Sequence, residues 1–183
     1  MVAGPEVTVR KASMPDIRSL LELINGYAAQ GVMLPRTEFE MSENIRDFTL
    51  AFIGDRLVGC GALHFYSPTS GEVRSLAVDP TTKSRGIGRA VVEALELEAI
   101  EYQLHSIFAF TYVPRFFERV GFHEVERGAL PLKAWKDCLR CPKFQSCDEI
   151  AVIKYLVPEE LRHDPIDENP STLDFVQLPV LRA

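Results

Sequence analysis

Residues 71–90 read GEVRSLAVDPTTKSRGIGRA, and this stretch decides the fold. Its first part, residues 71–78, is rich in the β-branched and apolar residues of a strand, and the Asp-Pro pair at 79–80 ends that strand. Residues 83–89 then form a turn with two glycines, after which residues 90–102 have the apolar spacing of an amphipathic helix. The stretch therefore predicts a strand, a glycine-bearing turn and a helix in direct succession.

The predicted turn has the chemistry of an anion site. Gly86 and Gly88 let the backbone fold tightly and come close to a ligand, while the N–H groups and dipole at a helix start favour negative charge. Lys83, Arg85 and Arg89 add positive side chains in an otherwise acidic chain. The pattern favours a diphosphate as the ligand; taken alone, it also fits an ordinary strand-to-helix turn with solvated basic residues.

Outward from this unit, the pattern of apolar residues predicts strands and helices along the rest of the chain. A first helix begins at Ser13, where the serine caps and Pro15 suits the first turn, and it ends near residues 27–29. Gly54-Asp55 predicts an antiparallel hairpin. The further predicted strands are 7–10, 48–53, 57–66, 106–110, 123–126 and 150–156, and the further helices are 37–46 and 115–120. The predicted fold class is therefore α/β (α+β), a mixed sheet of about seven strands with helices on both faces.

Length, charge and composition limit the class of protein. The chain of 183 residues with 46% hydrophobic content suffices for one domain with its own core. A net charge of −6 and a pI near 5.3 argue against nucleic acid as a partner, since phosphate backbones are bound by clustered Lys and Arg. No apolar run has the length of a signal peptide or of a membrane span, which predicts a cytoplasmic protein with no membrane partner.

The chain divides into one predicted domain, residues 1–156, and a C-terminal arm, residues 157–183. The domain carries a cysteine-bearing insertion at residues 130–149, between the last two predicted strands. The arm contains four prolines and has no clear periodicity. We expect the arm to pack on its own domain or on a partner subunit.

Three segments of this sequence resemble the GNAT acetyltransferase superfamily. They are Glu72-Val-Arg-Ser-Leu-Ala-Val-Asp-Pro80, the K-x-x-G-x-G turn that begins at Lys83, and the segment FFERVGF at residues 116–122. The resemblance implies a GNAT fold, with a mostly antiparallel twisted sheet, and acetyl-CoA as the acetyl donor. In that superfamily the turn amides bind the CoA pyrophosphate and the preceding strand hydrogen-bonds the pantetheine arm, and Lys83 replaces the usual Arg or Gln. The cofactor-binding residues that this implies are Leu76, Ala77, Val78, Lys83, Ser84, Arg85, Gly86, Ile87, Gly88 and Arg89.

Acetyl transfer to an amine requires a base, a site for the oxyanion and a proton for the departing thiolate. Glu72 is the predicted general base, as in many GNAT enzymes, although a surface carboxylate at a strand start is the alternative. The resemblance implies that the amide of Leu76, or a near neighbour, binds the oxyanion. Phe117 stands at the position where common GNAT enzymes have a tyrosine that acts as the general acid. Tyr112 and Thr111 are the candidate substitutes, unless the thiolate leaves without an acid; Tyr112 also suits a packed core aromatic.

A narrower resemblance concerns the acetyl acceptor. The segments that carry it are residues 20–31 (LLELINGYAAQG), 33–36 (MLPR), 58–63 (VGCGAL) and 72–76 (EVRSL). They resemble the short, GNAT-only bacterial N-acetylglutamate synthases of arginine biosynthesis, which implies transfer to the α-amine of L-glutamate. Arg36 and Arg74 are the candidate partners of the two glutamate carboxylates, because the planar guanidinium pairs with carboxylates in bidentate fashion.

Other interpretations of the site stay open at the level of sequence. Both arginines also suit a solvated surface, and the acceptor is then another small amine or amino acid. Because Phe117 replaces the usual tyrosine, the sequence also fits a CoA-binding module that is not catalytic. Many enzymes of the superfamily are dimers, so a homodimer is a possible assembly.

Three of the four cysteines lie close together in the insertion. Cys138, Cys141 and Cys147 have the spacing C-x2-C-x5-C, and the first pair suits one tetrahedral zinc. We favour buried or reducible thiols for this cluster and therefore predict no bound metal. A zinc site is the second interpretation. A fourth ligand lacks any spacing argument, and the candidates for it are Cys60, His123, Asp148 or a partner chain.

Overall fold

The computed structural model describes residues 6–82, 85–130, 141, 143 and 146–162. The strands are β1 (Val7–Lys11), β2 (Phe48–Ile53), β3 (Arg56–Phe65), β4 (Ser70–Val78), β5 (Ser106–Thr111), β6 (His123–Val125) and β7 (Ile150–Tyr155). The helices are α1 (Ile17–Ala28), α2 (Glu38–Asn44), α3 (Ile87–Glu101) and α4 (Pro114–Glu118). No helix in these ranges is both long enough and apolar enough to cross a membrane.

The seven strands form one sheet in the order β1-β2-β3-β4-β5-β7-β6. Every neighbouring pair is antiparallel except β4 and β5, which are parallel. One hydrophobic cluster packs α3 and α4 on one face of the sheet, and a second packs α1 and α2 on the opposite face. The prediction of a mixed, mostly antiparallel sheet with helices on both faces is therefore confirmed.

Two glycines of β3 let α3 lie directly on the sheet. A Cβ atom at Gly59 would come within 2.6 Å of Cγ2 of Ile87, and one at Gly61 within 2.9 Å of Cγ1 of Val91. Real Cβ atoms do not approach that closely, so a larger residue at either position would push the helix away. Because Gly59 and Gly61 have no side chains, the first turns of α3 can pack directly on β3.

β4 contains a bulge halfway along its length. Ala62 is opposite Arg74 and Cys60 is opposite Ala77, so β4 has one more residue than β3 between these two pairs. Ser75, at the bulge, has φ 53°, a left-handed conformation that a non-glycine residue seldom adopts. The parallel pairing of β4 with β5 ends at Glu72, before the bulge. The two strands therefore pair only over the first part of β4.

The predicted elements all occur, with boundaries that differ by a few residues. The largest differences are at two helix starts: α1 begins at Ile17, after a 3-10 turn at Met14–Asp16, rather than at Ser13, and α3 begins at Ile87 rather than at residue 90. Gly86 adopts φ 77° as the N-cap and Ile87 is buried at 1% exposure, so a buried anchor outweighs the low helix propensity of Gly88. The helix predicted over residues 37–46 corresponds to α2, which ends at Asn44. A 3-10 turn, Ile45–Asp47, follows it directly.

Gly59→Ala is expected to lower the free energy of unfolding by about 1–3 kcal/mol, because the added methyl group overlaps buried Ile87. Urea denaturation measures the change. Gly26→Ala is the matched control, since a Cβ there meets nothing within 4 Å and lies inside α1. The control is expected to gain about 0.5–1 kcal/mol. Equal stability of the two variants would contradict the packing of α3 on Gly59.

Asp16 makes the start of α1 sensitive to acid. The guanidinium of Arg10 donates two hydrogen bonds of 2.8 Å to the Asp16 carboxylate, and the Ser13 amide donates a third. The Arg10 bonds, with a smaller contribution from Ser13, hold the pKa of Asp16 well below its usual range. A lowered pKa in the folded state gives stability that is present above the unfolded pKa, about 3.9, and is lost as the pH falls below it.

Asp16→Asn is therefore expected to cost about 1 kcal/mol at pH 7, and the difference from the wild type should shrink below about pH 4. Chemical denaturation at a series of pH values measures both. Asp55→Asn, in the exposed hairpin turn between β2 and β3, is the control and should change stability by less than about 0.5 kcal/mol at every pH. A constant difference between Asp16→Asn and wild type across the range would contradict the assignment.

Candidate active site

The start of α3 has the geometry of an anion site. The N-cap residue is Gly86, which has no side chain to accept a hydrogen bond from the amides of the first helical turn. Gly86 therefore does not compete with an anion for these amides. A Cβ at Gly88 would lie 3.2 Å from the ring of Phe116, so the glycine allows this ring to pack on the turn. Arg85 is exposed beside the turn. Lys83 and Ser84, which the sequence also assigned to this site, lie outside the described residues.

Arg89 has structural partners on α3 and at the end of α4. Its guanidinium donates a 2.7 Å hydrogen bond to the carbonyl of Arg119 and lies 3.5 Å from the carboxylate of Glu93. The side chain thus ties α3 to the end of α4. Its assignment to the phosphates stays a prediction, and the fit of the turn to an anion rests on the amides and on Gly86.

One edge of β4 is open next to the anion site. β4 pairs with β3 as far as Val78, whereas its pairing with β5 ends at Glu72. Within the described ranges no strand pairs with the β5 side of residues 73–78, the part that contains Leu76, Ala77 and Val78. The hydroxyl of Tyr27 donates a 2.6 Å hydrogen bond to the carbonyl of Val78, which joins α1 to the end of this edge. An extended polar chain therefore has backbone groups to bond along β4.

Glu72 lies at the last paired position between β4 and β5 and is only 1% exposed. It is opposite His64 on β3 and opposite Phe108 on β5. Residues directly opposite one another share a face of the sheet, and this face is the one that packs against α1 and α2. The interpretation of Glu72 as a surface carboxylate is therefore wrong, because burial removes it from bulk solvent.

Arg36 and Arg74 line the same cavity. Its other walls are formed by Glu40, Met41, Asn44 and Phe48. Arg74 follows Glu72 by two residues on β4, before the bulge, so both side chains are on the same face. Asn25 of α1 holds the Arg36 backbone through two hydrogen bonds, one of 3.0 Å to its carbonyl and one of 2.9 Å from its amide. The loop before α2 is thus anchored with a guanidinium at the cavity.

Two residues of this face escaped the sequence analysis. Asp47 Oδ2 lies 2.8 Å from Nδ1 of His64 and 3.7 Å from the guanidinium of Arg74. Asp47 thereby connects His64, the cross-strand neighbour of Glu72, with Arg74, a candidate substrate-binding residue. The alternation of β3 places His64 on the same face as Ala62, but its position opposite Glu72 depends on the register of the hairpin, which the sequence does not show.

A helix start with glycine as its N-cap, beside a strand edge that is open in the described ranges and with a buried carboxylate on the same sheet, suits a long phosphorylated donor and a base. The chain matches the family model described as Acetyltransferase (GNAT) family over residues 15–122. This chain belongs to the GNAT family of acetyltransferases. It is therefore an acetyl-CoA-dependent acetyltransferase, as the resemblance predicted, and the expectation of a non-catalytic module is not supported.

Related proteins agree with this membership. An uncharacterized N-acetyltransferase of Chlorobaculum tepidum is 39% identical over 82% of this chain and 97% of its own length. An amino-acid acetyltransferase of Mycobacterium tuberculosis is 36% identical over 64% of this chain and 69% of its own length.

Solved structures share the fold. N-acetylglutamate synthase from Neisseria gonorrhoeae, complexed with coenzyme A and N-acetyl-glutamate, has a TM-score of 0.76 at 23% identity. The match covers 85% of this chain and 36% of the Neisseria enzyme. A Mycobacterium tuberculosis protein in complex with CoA has a TM-score of 0.70 at 28% identity, covering 82% of this chain and 99% of that one.

Tyr112 and Thr111, the candidate acids of this GNAT enzyme, both have hydrogen-bond partners. The Tyr112 hydroxyl donates to Asp148 at 2.9 Å and accepts from Lys143 at 3.2 Å. Burial is the main cause that raises the pKa of Tyr112, so the phenol keeps its proton at neutral pH. The Thr111 hydroxyl accepts a 3.0 Å bond from the Val113 amide, at the turn into α4. Phe117 is buried in the core at 3% exposure.

The cysteine cluster of the insertion lies partly outside the described residues, since Cys138 is among residues 131–140. Cys141 and Cys147 are free thiols, each half-buried. In the parts of the chain that the structure describes, no three His, Cys, Asp or Glu side chains form a group able to hold a metal. Burial raises the pKa of Cys60, which is in the core under α1, to about 12, so it remains a thiol. The prediction of no bound metal, with a zinc site as the second possibility, stays untested for this cluster.

Proposed function

We propose that this GNAT enzyme transfers the acetyl group of acetyl-CoA to the α-amine of L-glutamate, the first step of arginine biosynthesis. The observation that carries the proposal is the convergence of Arg36 and Arg74 on one small cavity, about 10 Å³ in volume, on the sheet face that bears Glu72. Glutamate has two carboxylates and one amine, so its site needs two cations near a base. The relatives named amino-acid acetyltransferase and the fold shared with N-acetylglutamate synthase support this choice.

The two arginines differ in how they are held, which suits different tasks. Arg74 lies on a strand at the centre of the sheet, and its side chain is 11% exposed and paired with Asp47. Arg36 lies on the loop that Asn25 anchors, at the other wall of the cavity. Guanidinium groups on separate elements can bind the two carboxylates of one ligand, because each presents a planar pair of donors. A polyamine acceptor would be repelled by the same two charges.

Acetyl-CoA would be held along β4 and at the start of α3, and it supplies a thioester-activated acetyl group. The β5-facing edge that contains Leu76, Ala77 and Val78 would bond the pantetheine arm, and the turn amides near Gly86 and Gly88 would bind the pyrophosphate. The Leu76 amide would face the oxyanion. Glu72 would take a proton from the acceptor ammonium group and so free the lone pair that attacks.

Protonation of the departing thiolate is assigned to Tyr112 or to no residue. The Tyr112 proton points to Asp148, so its use as an acid would require that hydrogen bond to break. The nitrogen of the acceptor carries a second proton that must leave in any case, and the thiolate can accept it. Thr111, held by the Val113 amide, is the weaker of the two candidates.

The proposal is tested by following thiol release from acetyl-CoA with the purified protein and a panel of amines. The panel contains L-glutamate, D-glutamate, L-glutamine, L-aspartate, L-lysine and spermidine. The proposal expects kcat/KM for L-glutamate to exceed those for L-glutamine, L-lysine and spermidine by at least about tenfold, since removing one charged hydrogen-bonding group costs roughly 1.5–3 kcal/mol. L-glutamate should also be preferred to D-glutamate and L-aspartate, which place the same two carboxylates differently relative to the amine. Faster turnover of lysine, spermidine or glutamine would show that another acceptor is the substrate.

A further inference from the structure

A histidine and an aspartate lie between the buried carboxylate Glu72 and solvent. His64 is directly opposite Glu72 in the β3–β4 register, and paired positions of this kind place their Cβ atoms about 4.5–5.5 Å apart on one face. On its other side, His64 Nδ1 lies 2.8 Å from Asp47 Oδ2. The three titratable side chains are therefore neighbours in the order Glu72, His64, Asp47.

Exposure increases along this series. Glu72 is 1% exposed, whereas the side chains of His64 and Asp47 are 22% and 26% exposed. The proton that a buried base receives must be passed on before the next turnover, and Glu72 itself has almost no contact with solvent. His64 is the adjacent titratable group that does have such contact.

Asp47 sets the orientation of the imidazole. A carboxylate accepts a hydrogen bond, so Nδ1 of His64 carries the hydrogen and Nε2 of the neutral ring has the lone pair. The same carboxylate lies within ion-pair distance, 2.8 Å, of the ring once Nε2 is protonated. The other groups near the ring are Glu72 and Arg74 from β4 and Tyr66, whose ring meets His64 edge-on at 5.6 Å.

We propose that His64, oriented by Asp47, passes the proton from Glu72 to solvent in each turnover. The proposal rests on the proposed function, in which Glu72 is the base. In the transfer, the C–N bond forms from the amine lone pair and the C–S bond breaks with its electron pair on sulfur. Of the two protons that the ammonium nitrogen loses, one goes to the sulfur and one to Glu72. Glu72 then gives its proton to Nε2 of His64, and the imidazolium releases it to water or buffer.

His64→Gln is the first variant, because it keeps a polar side chain but cannot carry a proton. We expect kcat to fall by roughly 10–100-fold, at or below the lower end of what a general acid or base contributes, because His64 acts after the base. KM for the acceptor and for acetyl-CoA should stay within about twofold. His123→Gln is the matched control, since His123 is exposed on β6 and stacks on Tyr155. The control should keep the wild-type kcat.

Rescue separates a proton relay from a structural role. For His64→Ala, added imidazole should raise kcat in a concentration-dependent manner while leaving His123→Ala unchanged. Asp47→Asn should lower kcat as well, and imidazole should not restore it because the ring of His64 is still present. A kcat for His64→Gln within twofold of wild type, or a reduced kcat that imidazole does not raise in His64→Ala, would overturn the relay.

The same assays distinguish failure of the relay from failure of the proposed function. A wild-type protein that acetylates no amino acid would remove the proposed function and the relay with it. An active wild type beside an unimpaired His64→Gln would remove the relay alone. Binding of CoA to each variant, measured by titration calorimetry, verifies that the variants are folded.

Discussion

Glu72→Gln is expected to lower kcat by about 10²–10⁴-fold, the usual contribution of a general base. Glutamine has nearly the same shape and keeps a hydrogen-bonding side chain, so the change removes mainly the ability to accept a proton. Because the carboxylate lies on the sheet face opposite α3, the anion site should be unaffected. The affinity for CoA is therefore expected to stay within about twofold, and steady-state kinetics together with calorimetry measure both quantities.

The control for this variant is Glu101→Gln, which removes an exposed carboxylate at the end of α3. It should have the wild-type kcat and the wild-type affinity for CoA. If Glu72→Gln kept more than about a tenth of the wild-type kcat, Glu72 would not be the base. Loss of activity together with loss of CoA affinity would instead show that the substitution disturbs the sheet.

Arg74→Met is expected to lower kcat/KM for L-glutamate by roughly 10–150-fold, which corresponds to about 1.5–3 kcal/mol for hydrogen bonds to a charged group. Methionine keeps most of the length and packing of the side chain, so the main loss is the guanidinium. The change should appear chiefly in KM for the acceptor, with KM for acetyl-CoA within about twofold. Arg46→Met is the matched control, because Arg46 is exposed in the same turn as Asp47.

Amides of glutamate reveal which carboxylate Arg74 binds. Glutamine lacks the side-chain carboxylate, and glutamic acid α-amide lacks the α-carboxylate. If Arg74 binds one of them, Arg74→Met should lose little further activity with the amide that already lacks that group. An equal loss with glutamate and with both amides would show that Arg74 supports the fold of the cavity rather than a carboxylate, as would an equal loss in Arg46→Met.

Much of the fold follows from local sequence, and residues 71–90 show why. Apolar alternation, the Asp-Pro stop and the paired glycines each act within a few residues, and they locate the strand, the turn and the helix. The local pattern places the start of α3 at residue 90, three residues too late, because Gly88 lowers helix propensity locally. The structure compensates through two non-local contacts, the packing of Ile87 against Gly59 and that of Phe116 against Gly88.

The site is less accessible to sequence reasoning, because it depends on register. The bulge at Ser75 carries no glycine that would signal a left-handed residue, and without it the pairing of β3 with β4 is ambiguous. That register brings His64 beside Glu72, and the turn after α2 brings Asp47 to His64. The sequence indicated Arg36 and Arg74 through resemblance, and only the tertiary structure shows that both line one cavity.

The most direct test of the proposed acetyl transfer is a competition experiment in one vessel. Purified protein is incubated with acetyl-CoA labelled with ¹³C in the acetyl group and an equimolar mixture of the twenty amino acids, and the labelled products are identified by mass spectrometry. The proposed function predicts N-acetylglutamate as the dominant labelled product, formed in a one-to-one ratio with free CoA. Dominant labelling of any other amino acid, or CoA release without a labelled amide, would contradict it.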